Sequence, residues 1–161
     1  TASESIVQQR GAIRLRSDVE RKRHFGLDAT DRPGKTRVDE IYGSAANQAT
    51  YSRLLRMARC ILRSGYPVVI DATFLRRADR DRFRLLARRE KARYEILRCN
   101  ADPQTLRQRI TDRSARKRDA SDADIAVLET QLRSIEPLGD DERHAVVEIS
   151  DIDNQITQAT S

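Results

Sequence analysis

Tryptophan is absent from the 161 residues, and aromatic residues amount to only 4% of them, four Tyr and three Phe. No basic strand carries interleaved aromatics, so a base-stacking platform for single-stranded nucleic acid is poorly supported. The two cysteines, Cys60 and Cys99, show no C-x-x-C spacing, and the two histidines, His24 and His144, stand alone. A disulfide framework is thereby excluded, no metal-ligating residues are expected, and both cysteines are expected as reduced core residues of a cytoplasmic protein. No apolar stretch reaches membrane-spanning length and no signal-peptide pattern opens the chain, so no membrane partner is expected. Lysine is scarce as well: Lys22, Lys35, Lys91 and Lys117 stand among 31 basic residues, the rest being Arg.

Charged residues make up 35% and hydrophobic residues 38%, with a formal charge of +6 and a mean hydropathy of −0.71. That is lean for a core, yet periodic apolar runs spread along the chain argue against disorder and for one domain over residues 1–161. Arginine dominance suits bidentate contacts to phosphate or carboxylate. The two signs are interspersed, so a solvated mixed surface is expected and a nucleic-acid partner is compatible without being required.

Residues 2–10 read as a helix tail ended by Gly11, and Ala12–Arg16 as a short strand. Ser17-Asp18-Val19-Glu20 has the S-x-x-E capping box, which starts a helix to about His24. Gly26–Glu40 reads as a loop. A long helix over Ala45–Arg63 has Tyr51, Leu54, Leu55, Ala58, Ile61 and Leu62 on its apolar face and ends at Gly65. Val68-Val69-Ile70 is a continuous apolar run, expected as a parallel strand buried on both faces up to Asp71. A helix over Ala78–Lys91 turns Phe83, Leu86 and Ala87 inward, and Arg93–Cys99 is the next strand. Helices are expected from Asp102-Pro103 to about Asp112 and from Ser121 through Ile135. Pro137–Asp141 reads as a loop, Ala145–Ile149 as the last strand and Asp151–Ala159 as a weak helix. Strands alternating with helices mean βαβ units, hence an α/β fold with a parallel sheet.

Ligands of open parallel sheets sit beyond the carboxyl ends of the strands. Asp18 and Asp71 fall there, although Asp18 also reads as a first-turn helix acid and Asp71 as a strand-end turn acid. Arg113-Ser114-Ala115-Arg116-Lys117-Arg118 brings four cations together, either as a charged interhelical loop or as a basic lid over an anion. Gly34-Lys35-Thr36 spells the end of a phosphate-binding G-x-x-x-x-G-K-[ST] loop. The first glycine would fall at Ala29 and no strand precedes it, so Lys35 is set aside.

Three segments, Ile13–Arg23, Val69–Arg76 and Ser121–Leu132, resemble the AAA-type P-loop kinase domain related to phage polynucleotide kinase and zeta-toxin-like kinases, over nearly the whole chain to Ile149. The resemblance implies a three-layer P-loop NTPase-like sandwich with strand order 2-3-1-4-5. It also implies ATP and Mg²⁺ as cofactors and, often, a fused N-terminal aminoglycoside phosphotransferase-like domain. Asp18 and Arg21 match the family's D-x-x-R, a general base and an acceptor clamp. Asp71-Ala72-Thr73 matches its D-T-N-like strand end, which places Asp71 and Thr73 on the substrate side. Arg118, with Arg113 or Arg116, matches the lid over residues 113–120, where guanidiniums neutralise charge on the transferring phosphoryl group. Arg118 and Asp151 fall on the nucleotide side.

The family's first strand and Walker A loop have no counterpart here, so the sequence is expected to be part of a longer chain that carries them. Leaving out a central strand leaves two strand pairs with unpaired inner edges, and each unsatisfied buried backbone group costs about 1–3 kcal/mol. The leading expectation is an ATP-dependent phosphotransferase acting on a polynucleotide 5′-hydroxyl or a small metabolite. The alternatives are a non-catalytic basic nucleic-acid-binding module and a pseudokinase domain.

Overall fold

The computed structural model describes residues 7–28, 38–98 and 133–148. These fall into two compact units. One runs through Phe74 and takes in Ala78–Tyr94; the other holds Leu75–Arg77 and the chain from Glu95 onward.

In the first unit, β1 (Ile13–Arg16) passes without a linker into α1 (Ser17–His24). A five-residue helix α2 (Val38–Tyr42) and the long α3 (Ser44–Arg63) lead to β2 (Val68–Asp71) and then α4 (Arg77–Arg89). Helix α2 begins inside the stretch expected as a loop to Glu40. Helix α3 contains no Gly or Pro, and Ala46, Thr50, Leu54 and Ala58 recur every four residues as its buried stripe. Gly65 ends it with φ +83°, a left-handed conformation a side chain would resist. There the Gly65 N–H reaches the Leu62 carbonyl at 3.0 Å and the Tyr66 N–H reaches Ile61 at 3.2 Å, a Schellman closure. Helix α4 closes by the same pattern, with Ala92 N–H on Ala87 at 2.8 Å, but Lys91 takes the left-handed place at φ +55°. The turn of the chain at Lys91 is why the helix stops at Arg89, two residues before its expected end.

Strands β1 and β2 pair in parallel with Ile13 opposite Val68 and Arg16 opposite Asp71. Alternation turns Leu15, Val68 and Ile70 onto one face, where they meet Tyr51, Leu54 and Ala58 of α3 and Phe83 and Leu86 of α4. Arg14, Arg16, Val69 and Asp71 fall on the other. All four residues of β2 are half-buried, so the expectation of a strand buried on both faces is corrected: a face carrying two arginines and an acid keeps contact with water. Cys60 is exposed, against the expectation of a core thiol, because it lies on the side of α3 away from Leu54 and Ala58.

In the second unit, β3 (Ile96–Arg98) and β4 (Val146–Glu148) form a second parallel pair, Ile96 opposite Val146. Helical structure ends at Arg133 rather than running through Ile135, which is 50% exposed. The supposed loop at 137–141 contains the start of a helical turn, α5 (Asp140–Arg143). The Gly139 N–H donates to the buried carboxylate of Glu142 at 2.9 Å, satisfying the group that begins the turn. Arg77 ties the preceding linker here: its N–H donates to Glu136 at 2.6 Å and its guanidinium forks onto both oxygens of Asp141 at 2.9 Å. Among the described residues the strands form two separate two-stranded parallel sheets, one in each unit. No helix among the described residues is long and apolar enough to cross a membrane.

Candidate functional site

Because Arg16 is level with Asp71, the end of β1, the start of α1 and the end of β2 form one carboxyl edge in the first unit. Asp18 stands in the first turn of α1 and Asp71 at the last position of β2, so both acids occupy that edge. Each is held by an arginine of β1. The Arg16 guanidinium forks onto Asp18, Nε to Oδ1 at 3.1 Å and Nη2 to Oδ2 at 2.6 Å. Arg14 donates through Nε and Nη2 to Oδ2 of Asp71, the Nε contact measuring 3.0 Å. Arg14 lies opposite Val69 on the face that Asp71 shares, which makes this bond a diagonal one across the pair. The Arg16 and Asp18 side chains are about half exposed. Exposed pairs of this kind add only about 0–1 kcal/mol, so the fork aims the carboxylate more than it stabilises the fold. A carboxylate offers roughly four lone-pair directions, which leaves capacity for an incoming hydroxyl.

Arg21, one helical turn beyond Asp18, does not fork onto it. Its Nη2 donates to Asn47 Oδ1 at 2.9 Å, its Nη1 to the Ile41 carbonyl at 3.3 Å, and its guanidinium lies 5.4 Å from the Tyr42 ring centre. Burial lowers the Arg21 pKa from its ordinary value, opposed by the fields of Tyr42, Tyr51 and Asp18. It stays charged at neutral pH and locks the short α2 and the start of α3 beside the edge.

The capping box at Ser17 is not formed. Arg16 is the N-cap and no side chain caps the helix, since the strand delivers Ser17 directly as its first residue. Glu20, expected to reach back, is 3% exposed and instead accepts from Arg23 Nη1 at 2.7 Å and Arg53 Nε at 2.6 Å. It fastens α1 to α3.

Thr73 is exposed in the segment between β2 and α4. The next residue was not foreseen from the sequence. Phe74 adopts φ +45°, a conformation that costs a non-glycine residue about 1–3 kcal/mol. The Phe74 N–H donates to the Tyr51 hydroxyl at 3.1 Å, and its carbonyl accepts from Arg80 Nη1 at 3.1 Å. Its ring meets Tyr51 and Phe83 edge to face, with centres 5.4 and 5.2 Å apart. The only sequence signal was that Tyr51 and Phe83 fall on inward helix faces.

Arg113, Arg116, Arg118, Asp151, Lys35 and Cys99 lie outside the described residues. No group of three or more His, Cys, Asp or Glu placed to hold a metal occurs among the described residues. Mg²⁺ does not need one: it binds through one or two carboxylates, water and phosphate oxygens. A single rim carboxylate such as Asp71 fits that donor chemistry through metal-bound water.

The described site is thus a parallel strand pair with Asp18 and Asp71 at its carboxyl edge, each bonded to its own arginine of β1. Residues 1–138 match the family model of the AAA domain, and the chain belongs to that family. Membership carries a P-loop NTPase-type α/β fold and a nucleotide-dependent function in general, and P-loop AAA domains generally bind ATP with Mg²⁺. No curated protein and no solved structure matches the chain.

Proposed function

We propose that this AAA domain serves an ATP-dependent phosphotransferase of the polynucleotide kinase and zeta-toxin-like kind, in which a γ-phosphoryl group passes to an acceptor hydroxyl. The observation that carries the reading is the register of Arg16 with Asp71, which puts the Asp18 and Asp71 carboxylates on one carboxyl edge of an AAA domain. ATP with Mg²⁺, when bound, would supply the phosphoryl group and the cationic screening of its oxygens. Asp18 takes the acceptor's hydroxyl proton as the acceptor oxygen forms the new bond to phosphorus and the bond from that phosphorus to the ADP oxygen breaks. Arg16 keeps that carboxylate aimed along the edge. Asp71 would stand on the Mg²⁺ side as the orienting acid, Thr73 offers a hydroxyl donor beside it, and Arg21 is the acceptor clamp. Arg113, Arg116 and Arg118 act as the lid over the transferring group, with Arg118 and Asp151 on the nucleotide side.

The acceptor is a polynucleotide 5′-hydroxyl or a small metabolite, and the charge of +6 favours the first. The reading places the domain in the cytoplasm and is compatible with a fused N-terminal aminoglycoside phosphotransferase-like domain. It goes with a three-layer P-loop NTPase-like sandwich of strand order 2-3-1-4-5. Calorimetric titration of ATP with Mg²⁺ into the complete protein, followed by an assay of ADP release with 5′-hydroxyl oligonucleotides, tests it. Saturable nucleotide binding and acceptor-dependent ADP release are expected. Salt-steep oligonucleotide binding with indifference to ATP would make the domain a binding module instead.

A further inference from the structure

Phe74 is held at three points by two helices. Its N–H is taken by the hydroxyl of Tyr51 from α3, its carbonyl by the guanidinium of Arg80 from α4, and its ring by Tyr51 and Phe83. Tyr51 and Arg80 are 2% and 4% exposed. An arginine so deeply buried commits an expensive charge, and here one of its donors goes to a main-chain carbonyl. A left-handed conformation in a bulky aromatic persists only where its surroundings over-determine it, and these contacts do so. Released from them, the peptide would turn to negative φ and satisfy its polar groups with water. That rotation would redirect the segment joining Phe74 to β2, which is Ala72 and the exposed Thr73.

We propose that Tyr51 and Arg80 are positioning residues that clamp Phe74 in its left-handed conformation and thereby set where Asp71 and Thr73 present themselves at the carboxyl edge. The inference rests on the phosphotransferase reading for its functional consequence, but the clamp itself is measurable without turnover. It explains why the inward face of α3 carries a Tyr at position 51: the ring serves the core and the hydroxyl serves the backbone of the next strand's exit.

Tyr51→Phe in the complete protein removes the hydroxyl and keeps the ring, so the core stays filled. Amide hydrogen exchange at Phe74 should accelerate about tenfold or more, the loss of one buried hydrogen bond. Residual dipolar couplings of the Ala72 and Thr73 amides should change, while those of β1 and α3 stay as they were. In the phosphotransfer assay kcat should fall about tenfold, since Asp71 and Thr73 would no longer be held where the reacting groups meet them. Unchanged exchange at Phe74 together with unchanged couplings at Ala72 and Thr73 would overturn the clamp. Altered couplings with wild-type kcat would overturn its positioning role. If the unsubstituted protein shows no phosphotransfer at all, the functional reading has failed, and the couplings still decide whether Tyr51 sets the segment.

Discussion

Glu20 offers the sharpest test of how the first unit is built, because sequence and structure assign it different work. Its carboxylate is 3% exposed and takes charged donors from Arg23 and Arg53, at 2.7 and 2.6 Å. Glu20→Gln keeps the shape but removes the charge and turns an NH₂ group toward one of the arginines. A hydrogen bond to a charged group contributes about 1.5–3 kcal/mol, whereas removing one partner of a fully buried ion pair costs about 3–5 kcal/mol. The Arg53 and Arg23 side chains are 41% and 58% exposed and recover water when released, so the lower range applies. Urea unfolding of the complete protein should show the midpoint falling by about 1 M for a slope near 2 kcal/mol per M. Ser17→Ala should stay within about 0.5 kcal/mol of the unsubstituted protein, as for a surface change that breaks no cap. A working capping box would reverse the pattern, with Ser17→Ala costing about 1 kcal/mol. That reversal, with Glu20→Gln silent, would refute the assignment of Glu20 to the α1–α3 junction.

Two further outcomes follow from the same structure. The Glu90 carboxyl is held below its ordinary pKa first by its hydrogen bond from Arg63, then by Arg59, against a desolvation effect of opposite sign. A depressed carboxyl pKa gives stability that is fully present above about pH 4.5 and lost as pH falls through the lowered folded value. Melting curves of Glu90→Gln and the unsubstituted protein should therefore differ at neutral pH and converge in acid; parallel curves throughout would contradict the pairing. Leu54 is fully buried between β1, β2 and α4, so Leu54→Ala should cost about 2–5 kcal/mol with an unchanged urea slope. A loss below 1 kcal/mol would mean that the core around Leu54 collapses onto the gap.

What was legible in the sequence was whatever depends on periodicity and chain breaks. Four-residue spacing located α3, alternation located β1, the Val-Val-Ile run located β2, and Gly65 marked a left-handed turn that glycine takes without cost. The edge position of Asp18 and Asp71 followed from strand ends alone. What stayed hidden depends on side chains choosing between partners. The S-x-x-E pattern is local, but Arg53, 33 residues further on, outcompetes the Ser17 backbone for Glu20 because burial strengthens a charged bond. Arg21 shares a helix face with Asp18, yet the carbonyl and amide oxygens of Ile41 and Asn47 draw its guanidinium away. A left-handed Phe74 or Lys91 cannot be read from residue type, since propensity points the other way and tertiary contacts overrule it. Cys60 was assigned inward by its apolar neighbours although the helical angle from Ala58 carries it outward.

The account stands on Asp18 as the group that receives the acceptor's proton. The direct measurement is the phosphoryl-transfer rate of Asp18→Asn in the complete protein, taken alongside its affinity for ATP with Mg²⁺. Transfer slowed about 10²-fold or more, with nucleotide affinity essentially retained, is the predicted result. Full turnover in the variant would contradict it.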